Sequence, residues 1–300
     1  MDREKQNNPN EFSPLMAFIT VLLTLVCWMN IGPLLALVLT LIPALGDDKW
    51  IGLTEFLFRH IPYVLMFLAL ILGSKYLLKT KATELVAGNN RKPDNIITIY
   101  TFILYILILE IFSLLSFRTI HIDPSPIKEK LIYIIPVLLL TPMQAAAEEL
   151  FFRALPARLV YHNNLPKSQK EGIPISIVSG FLFLIPHLGN PEVVKSRSGI
   201  IAIIYYFLWG AAAMALALYT DGFEMPIAMH AANNIYCALI VNYRGSAMPT
   251  KAIFIDEAAS SSIFLLFKAI VIYGACFAFA YALKKHGYFR RRTNGKKEND

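Results

Sequence analysis

The chain has 300 residues, of which 56% are hydrophobic and 16% charged, and its formal net charge is +7. The apolar residues fall in long unbroken blocks instead of at amphipathic spacing, which excludes a disordered chain and an ordinary soluble domain. The basic residues form no patch interleaved with aromatic residues in a polar segment, so the charge does not indicate a nucleic-acid partner.

Eight apolar blocks are candidates for membrane-spanning helices, because a hydrocarbon core of about 30 Å needs roughly 20 helical residues. In chain order they cover residues 15–44, 56–78, 96–117, 131–152, 173–188, 199–219, 225–243 and 261–283. The first block carries Pro33, which predicts a kink or a tilt, and it is too long for a cleavable signal region. The sequence predicts an all-α polytopic membrane protein with about eight transmembrane helices.

No repeat, low-complexity tract or long loop divides the chain. We therefore expect a polar tail at residues 1–14, one membrane domain at 15–284 and a basic tail at 285–300. With an even number of spans, the side that carries both termini holds about twice as many Lys and Arg residues as the other side. The positive-inside rule then places both termini in the cytoplasm of a multi-pass cell-membrane protein, with the basic tail on anionic lipids.

The three cysteines, Cys27, Cys237 and Cys276, all lie inside apolar blocks. Their spacing suits neither a disulfide framework nor a CxxC metal site, so we expect them to be packing residues.

Two adjacent glutamates and an arginine interrupt the fourth block at Glu148, Glu149 and Arg153. A carboxylate at mid-bilayer costs roughly 2.5–3.5 kcal/mol, so an intramembrane pair requires a reason. An exposed pair at the interface is one explanation. In the other, Arg153 shares a helix face with Glu149 and neutralises it, which leaves Glu148, offset by about 100°, to face a cavity as a general base.

Two more groups of polar residues lie in apolar segments of the sequence. His187 ends the fifth block, four residues after Phe183, and His230 is followed by Asn233 and Asn234 on its own helix face. Taken singly, each is more typical of a satisfied buried histidine or of hydrogen bonds between helices than of catalysis.

Taken together, Glu-Glu-x-x-x-Arg, Phe-x-x-x-His and His-x-x-x-Asn follow one another in this order within residues 131–240. In this the chain resembles the CPBP or Abi family of intramembrane proteases, which includes the type II CAAX-prenyl endopeptidases. The family often has glycine after the motif arginine, where this chain has Ala154.

The resemblance implies hydrolysis of a peptide bond in a cavity inside the bundle. Glu148 and His187 would activate water, His230 and Asn234 would stabilise the oxyanion, and Glu149, Arg153 and Phe183 would support them. The implied partners are membrane lipids and a membrane-associated or lipidated polypeptide. A divalent metal such as zinc on Glu148, His187 and His230 stays open, although no HExxH helix is present.

Two other functions stay open, a proton-coupled transporter and a non-catalytic scaffold or bacteriocin-immunity protein. Catalysis makes sharper geometric demands. Glu148, His187, His230 and Asn234 must surround one cavity, reachable from the lipid or the cytoplasmic side, while Asn233 should point elsewhere or only graze it. If the fourth span ended near 152, Glu148 and His187 would lie at opposite faces, so we expect this helix to continue beyond Arg153.

Overall fold

The computed structural model describes residues 13–41, 51–88, 91–116, 119–161, 165–166, 168–194, 199–243, 246–257 and 262–289. Most of the predicted tail at 1–14, and the predicted basic tail from 290 onward, lie outside these residues.

The described chain is helical apart from three short strands. The first half contains α1 (Pro14–Val26), a π-helical turn (Cys27–Ile31), α2 (Gly32–Thr40), α3 (Ile51–Tyr76), α4 (Ala82–Ala87), α5 (Asn95–Leu115), β1 (Ile120–Ile122), α6 (Ile127–Leu131) and α7 (Ile134–Glu149). The second half contains a π-helical turn (Leu150–Ala154), α8 (Leu155–Val160), α9 (Gln169–His187), α10 (Pro191–Val194), α11 (Gly199–Thr220), α12 (Glu224–Leu239), β2 (Val241–Tyr243), β3 (Phe254–Asp256) and α13 (Ser262–Lys285).

This architecture confirms the all-α membrane fold, and each predicted block contains a helix. Within the described residues, six helical stretches are long and apolar enough to cross a membrane. They are Pro14–Thr40, Gly52–Tyr76, Asn95–Leu115, Ile127–Val160, Gly199–Thr220 and Ile263–Lys285. The other two blocks correspond to α9 and α12, which are shorter or more polar, as expected of helices that carry site residues.

Proline residues account for the two π-helical turns. Pro33 and Pro156 have no N–H, so each leaves unpaired the carbonyl four residues earlier, and the helix widens in the preceding turn. The first turn agrees with the predicted irregularity in the first span. The second turn follows Glu149 directly and carries Arg153, and π-bulges are common at functional sites.

The fourth span corrects a predicted boundary. The hydropathy pattern ends this block at residue 152, but the helical stretch runs from Ile127 to Val160. Arg153 and Arg158 lowered the apparent hydropathy, yet both side chains are 1% exposed and belong to the interior. Glu148 therefore lies well inside a continuous span, as the expected continuation beyond Arg153 requires.

Close helix packing positions the site. α12 packs between α5 and α7, while α9 packs along α11. A Cβ atom at Gly210 of α11 would lie 2.8 Å from Cβ of Phe183 on α9, which is closer than real Cβ atoms approach. Glycine at this position allows the two helices to approach and places Phe183 in the interior.

The two ends of the bundle differ in structure. At one end, called here the sheet end, β3 pairs antiparallel with β1 and parallel with β2. At the other end, called here the tail end, the Tyr288 hydroxyl donates to Asp94 Oδ2 at 2.8 Å, and the Phe223 amide donates to the Val86 carbonyl at 2.9 Å. The small sheet was not predicted, because its three-residue strands come from distant segments.

Candidate active site

A single cavity of about 1140 Å³ brings the four predicted catalytic residues together. Glu148 of α7, His187 of α9, and His230 and Asn234 of α12 all line it, as does Phe183. The expected convergence is therefore present in the structure. Glu149 and Arg153 are not among the lining residues and are almost fully buried behind the wall.

Glu149 and Arg153 form a buried ion pair. Nη1 of Arg153 lies 2.5 Å from Oε1 of Glu149, and the two side chains are 0% and 1% exposed. The Arg153 guanidinium also stacks on the Phe183 ring, 4.2 Å from its centroid. This is the predicted division of labour between the glutamates, since Arg153 neutralises Glu149 while Glu148 faces the cavity.

Glu149 has a second partner that the sequence did not indicate. Its Oε1 accepts a hydrogen bond from Nδ1 of His230 at 2.8 Å, while Nε2 of His230 lies 3.9 Å from Oε2 of Glu148. An ionised carboxylate only accepts hydrogen bonds, so Nδ1 carries a hydrogen. Nε2 can then donate a hydrogen bond only in the imidazolium form.

His187 has the opposite arrangement. Its Nδ1 donates to the backbone carbonyl of Phe183 at 2.6 Å, which leaves the lone pair on Nε2 as a hydrogen-bond acceptor in the neutral ring. The ring stacks on Tyr206 with 4.5 Å between centroids. The hydroxyl of Tyr206 accepts a hydrogen bond from Asn190 Nδ2 at 2.9 Å, which holds the Tyr206 ring in place against the His187 ring.

The two asparagines differ from one expectation. Asn234 lines the cavity as predicted, but Asn233 lines it as well. Asn233 accepts from the Tyr105 hydroxyl at 3.0 Å and donates through Nδ2 to Oδ1 of Asn234 at 3.1 Å. With its oxygen engaged as an acceptor, Asn234 is left with an amide group that can donate into the cavity.

Two polar residues of the cavity escaped the sequence reasoning. Gln144, one turn before Glu148, donates through Nε2 to Oε1 of Glu148 at 3.1 Å. His60 of α3 is 5% exposed, and its Nδ1 donates to the Phe56 carbonyl at 2.8 Å. Oε1 of Gln144 and Nε2 of His60 are buried without a hydrogen-bond partner in the described part of the chain. The spacing of four residues between Gln144 and Glu148 could have predicted their contact from the sequence. His60, a lone histidine in an apolar helix, carried no such signal.

The three cysteines were expected from the sequence to be packing residues. Cys276 is buried, while Cys27 and Cys237 are partly buried and Cys237 lines the cavity.

The donor set does not fit a bound metal. Within the described residues, no group of three or more His, Cys, Asp or Glu side chains is arranged to hold a metal ion. No step below is routed through a metal.

Fold and site together define a helical membrane protein with a hydrolase-like set of carboxylate, histidine and amide groups in an intramembrane cavity. Residues 130–236 match the family model described as type II CAAX prenyl endopeptidase Rce1-like. The match confirms the resemblance drawn from the three motifs.

One curated relative is the protein described as "Uncharacterized protein YyaK" from Bacillus subtilis (strain 168). It is 25% identical over 199 residues, which cover 65% of this chain and 64% of the relative. The chain thus spans less than two thirds of the relative's length. No solved structure matches the chain.

Proposed function

We propose that the protein is an intramembrane endopeptidase that hydrolyses a peptide bond in a membrane-associated or lipidated polypeptide. The observation that carries this proposal is the cavity shared by Glu148, His187, His230 and Asn234, with the acceptors on α7 and α9 and both donors on α12. The Rce1-like match over residues 130–236 supports the same class of enzyme.

Water activation falls to Glu148 and His187. A water molecule between them donates one hydrogen to the Glu148 carboxylate and the other to Nε2 of His187. Glu148 takes the proton as the water oxygen bonds to the substrate carbonyl carbon. Gln144 holds the carboxylate through Oε1, which leaves Oε2 directed at the cavity side where His230 lies.

The negative charge on the carbonyl oxygen is stabilised by His230 and Asn234. His230 donates through Nε2 while its Nδ1 is held by the hydrogen bond to Glu149, and Asn234 donates through Nδ2. Glu148 then returns its proton to the amine nitrogen and the C–N bond breaks, which gives a carboxylic acid and an amine. The second water hydrogen, on the new acid, passes through Nε2 of His187 to the amine, so the final products are a carboxylate and an ammonium group. Each proton removed from water is thereby accounted for.

The surroundings are proposed to be the cell membrane, with both termini in the cytoplasm. Exposed large apolar side chains along the spans support lipid contact, among them Leu37, Leu72, Ile111, Leu139, Ile185 and Ile270. The excess of basic residues on the side of the termini supports the orientation.

The test compares wild type, Glu148→Gln and Glu171→Gln in detergent. Glu171 is an exposed glutamate in the first turn of α9, outside the cavity, and matches the charge change. The probe is a fluorescent peptide with a prenylated Cys-aliphatic-aliphatic-X ending, alongside a mixture of hydrophobic peptides read by mass spectrometry. Cleavage by wild type and Glu171→Gln but not by Glu148→Gln is expected, with and without a chelator. Equal cleavage by all three would remove the proposed base.

A further inference from the structure

We infer that the active-site cavity opens at the non-cytoplasmic face of the membrane, so that the substrate is a polypeptide whose scissile segment is presented on that side. This inference rests on the proposed function and its orientation. It goes beyond both, because neither the family match nor the chemistry of the site says from which side a substrate enters.

The lining of the cavity reaches the sheet end of the bundle, and it also includes Met29 and Pro62 from the middle of the first span and of α3. It includes Arg59 near the start of α3, Ser116 after α5, Ile120 of β1, Asn242 of β2 and Asp256 of β3. The connection after β2 contributes Ala247, which is exposed. None of the described residues in the tail-end segments 77–94, 161–168, 221–223 or 286–289 contributes to the lining.

Packed side chains close the route toward the tail end. From Glu148 the span continues for 12 residues to Val160, which is about 18 Å of helix. Along this stretch Leu150, Phe152 and Leu155 are buried in one apolar cluster with Phe223 and residues of α3. A water-filled path cannot pass through a core packed at this density, so the open side of the cavity is the sheet end.

The charge distribution identifies this face. The tail-end segments, including the terminal tails, carry about twice as many basic residues as the sheet-end segments. Three residues in this comparison are interior, since Arg153 pairs with Glu149, Arg158 is 1% exposed and Lys130 is buried 3.7 Å from Asp123. Omitting the two arginines from the tail end and Lys130 from the sheet end leaves the ratio at about two to one, so we place the sheet end on the non-cytoplasmic side.

The sequence led us to expect entry from the lipid or the cytoplasmic side, because a substrate chain must enter the cavity extended. This inference replaces the cytoplasmic side with the opposite one. The size of the cavity, about 1140 Å³, exceeds the usual range for small-molecule pockets and suits an extended chain.

Cysteine accessibility tests the side of the opening without any substrate. Ala247→Cys and Thr83→Cys are introduced singly after replacement of Cys27, Cys237 and Cys276 by Ser. Thr83 lies exposed on α4 at the tail end and is the matched control. If the triple replacement lowers the yield, Cys276 is retained, since it is fully buried.

Intact bacterial cells are then treated with a membrane-impermeant maleimide. We expect at least a tenfold excess of labelling at Ala247→Cys over Thr83→Cys, and comparable labelling of both after permeabilisation. Labelling of Ala247→Cys only after permeabilisation, or equal labelling of both sites in intact cells, would overturn the inference.

A second arm separates this inference from the proposed function. The peptide cleaved in detergent is offered to spheroplasts and to inverted vesicles that contain wild type or Glu148→Gln. Glu148-dependent cleavage is expected in spheroplasts, and cleavage confined to inverted vesicles would contradict the inference. If wild type cleaves no peptide even in detergent, the proposed function fails while the labelling result still decides the side of the opening.

Discussion

Replacing Arg153 by alanine should be the most destabilising of the single substitutions considered, because it removes the ion-pair partner of the buried Glu149 carboxylate and leaves it only the hydrogen bond from His230. Both side chains are at most 1% exposed, and their charged atoms are 2.5 Å apart. Removing one partner of a buried pair costs about 3–5 kcal/mol, chiefly through the uncompensated charge that remains. Arg153→Ala also removes the contact with Phe183, but the energies of neighbouring contacts are not additive, so we do not add a separate contribution for it.

The chain contains a matched control for this prediction. Arg59 and Glu55 form another Glu–Arg pair at i,i+4, with charged atoms 2.7 Å apart, but their side chains are 55% and 49% exposed. An exposed pair contributes about 0.2–1 kcal/mol. Arg59→Ala should therefore cost several kcal/mol less than Arg153→Ala, although the sequence spacing is the same.

Unfolding in mixed micelles with increasing denaturing detergent measures both losses. Adding Glu149→Gln to Arg153→Ala should recover more than about 1 kcal/mol, since it removes the unpaired charge. If the alanine variant does not accumulate, Arg153→Lys is measured in its place. Its free energy of unfolding should lie between those of wild type and Arg153→Ala, because lysine keeps the charge but not the planar contacts of the guanidinium. A loss below about 1 kcal/mol for Arg153→Ala, or no recovery in the double variant, would refute this reasoning.

Substitutions at three further positions within the site are tested by peptide cleavage. Asn234→Ala should lower kcat about 10²–10³-fold with little change in KM, as for removal of an oxyanion donor, and an unchanged kcat would contradict that role. Tyr105→Phe removes the hydroxyl that donates to Asn233 and should lower kcat by roughly tenfold, an effect that must disappear in the Asn234→Ala background. Gln144→Leu should lower kcat by about tenfold, because it removes the hydrogen bond to Glu148. Gln144→Asn, whose amide is one methylene shorter, should keep less than half of the wild-type kcat. Wild-type activity in Gln144→Leu would show that this hydrogen bond is dispensable.

Hydropathy predicted the fold well because each helix must satisfy its backbone inside its own segment. Each of the eight predicted blocks contains a helix. The fourth boundary was wrong because a charged residue reads as an end in any hydropathy window, whereas Arg153 and Arg158 are buried. The sheet of β1, β2 and β3 could not be predicted, because three-residue strands carry almost no periodic signal.

Helical spacing predicted which residues share a face, and this was enough to pair Arg153 with Glu149. It could not predict the contact between Glu149 and His230, since those residues are on different helices whose relative rotation depends on packing. The π-helical turn after Glu149 also shifts the helix face locally. Helical spacing also failed to predict that Asn233 lines the cavity, because its side chain accepts a hydrogen bond from Tyr105 on another helix, α5.

The central claim is that Glu148 and His187 act on one water molecule, and a double-mutant comparison of single-turnover cleavage tests it most directly. The rates of Glu148→Gln, His187→Gln and the double variant are measured against wild type with the same peptide. Residues that act as a unit are strongly non-additive, so we expect the double variant to be no more than about tenfold slower than the slower single variant. Losses that multiply in the double variant, or wild-type rates in either single variant, would contradict the shared water.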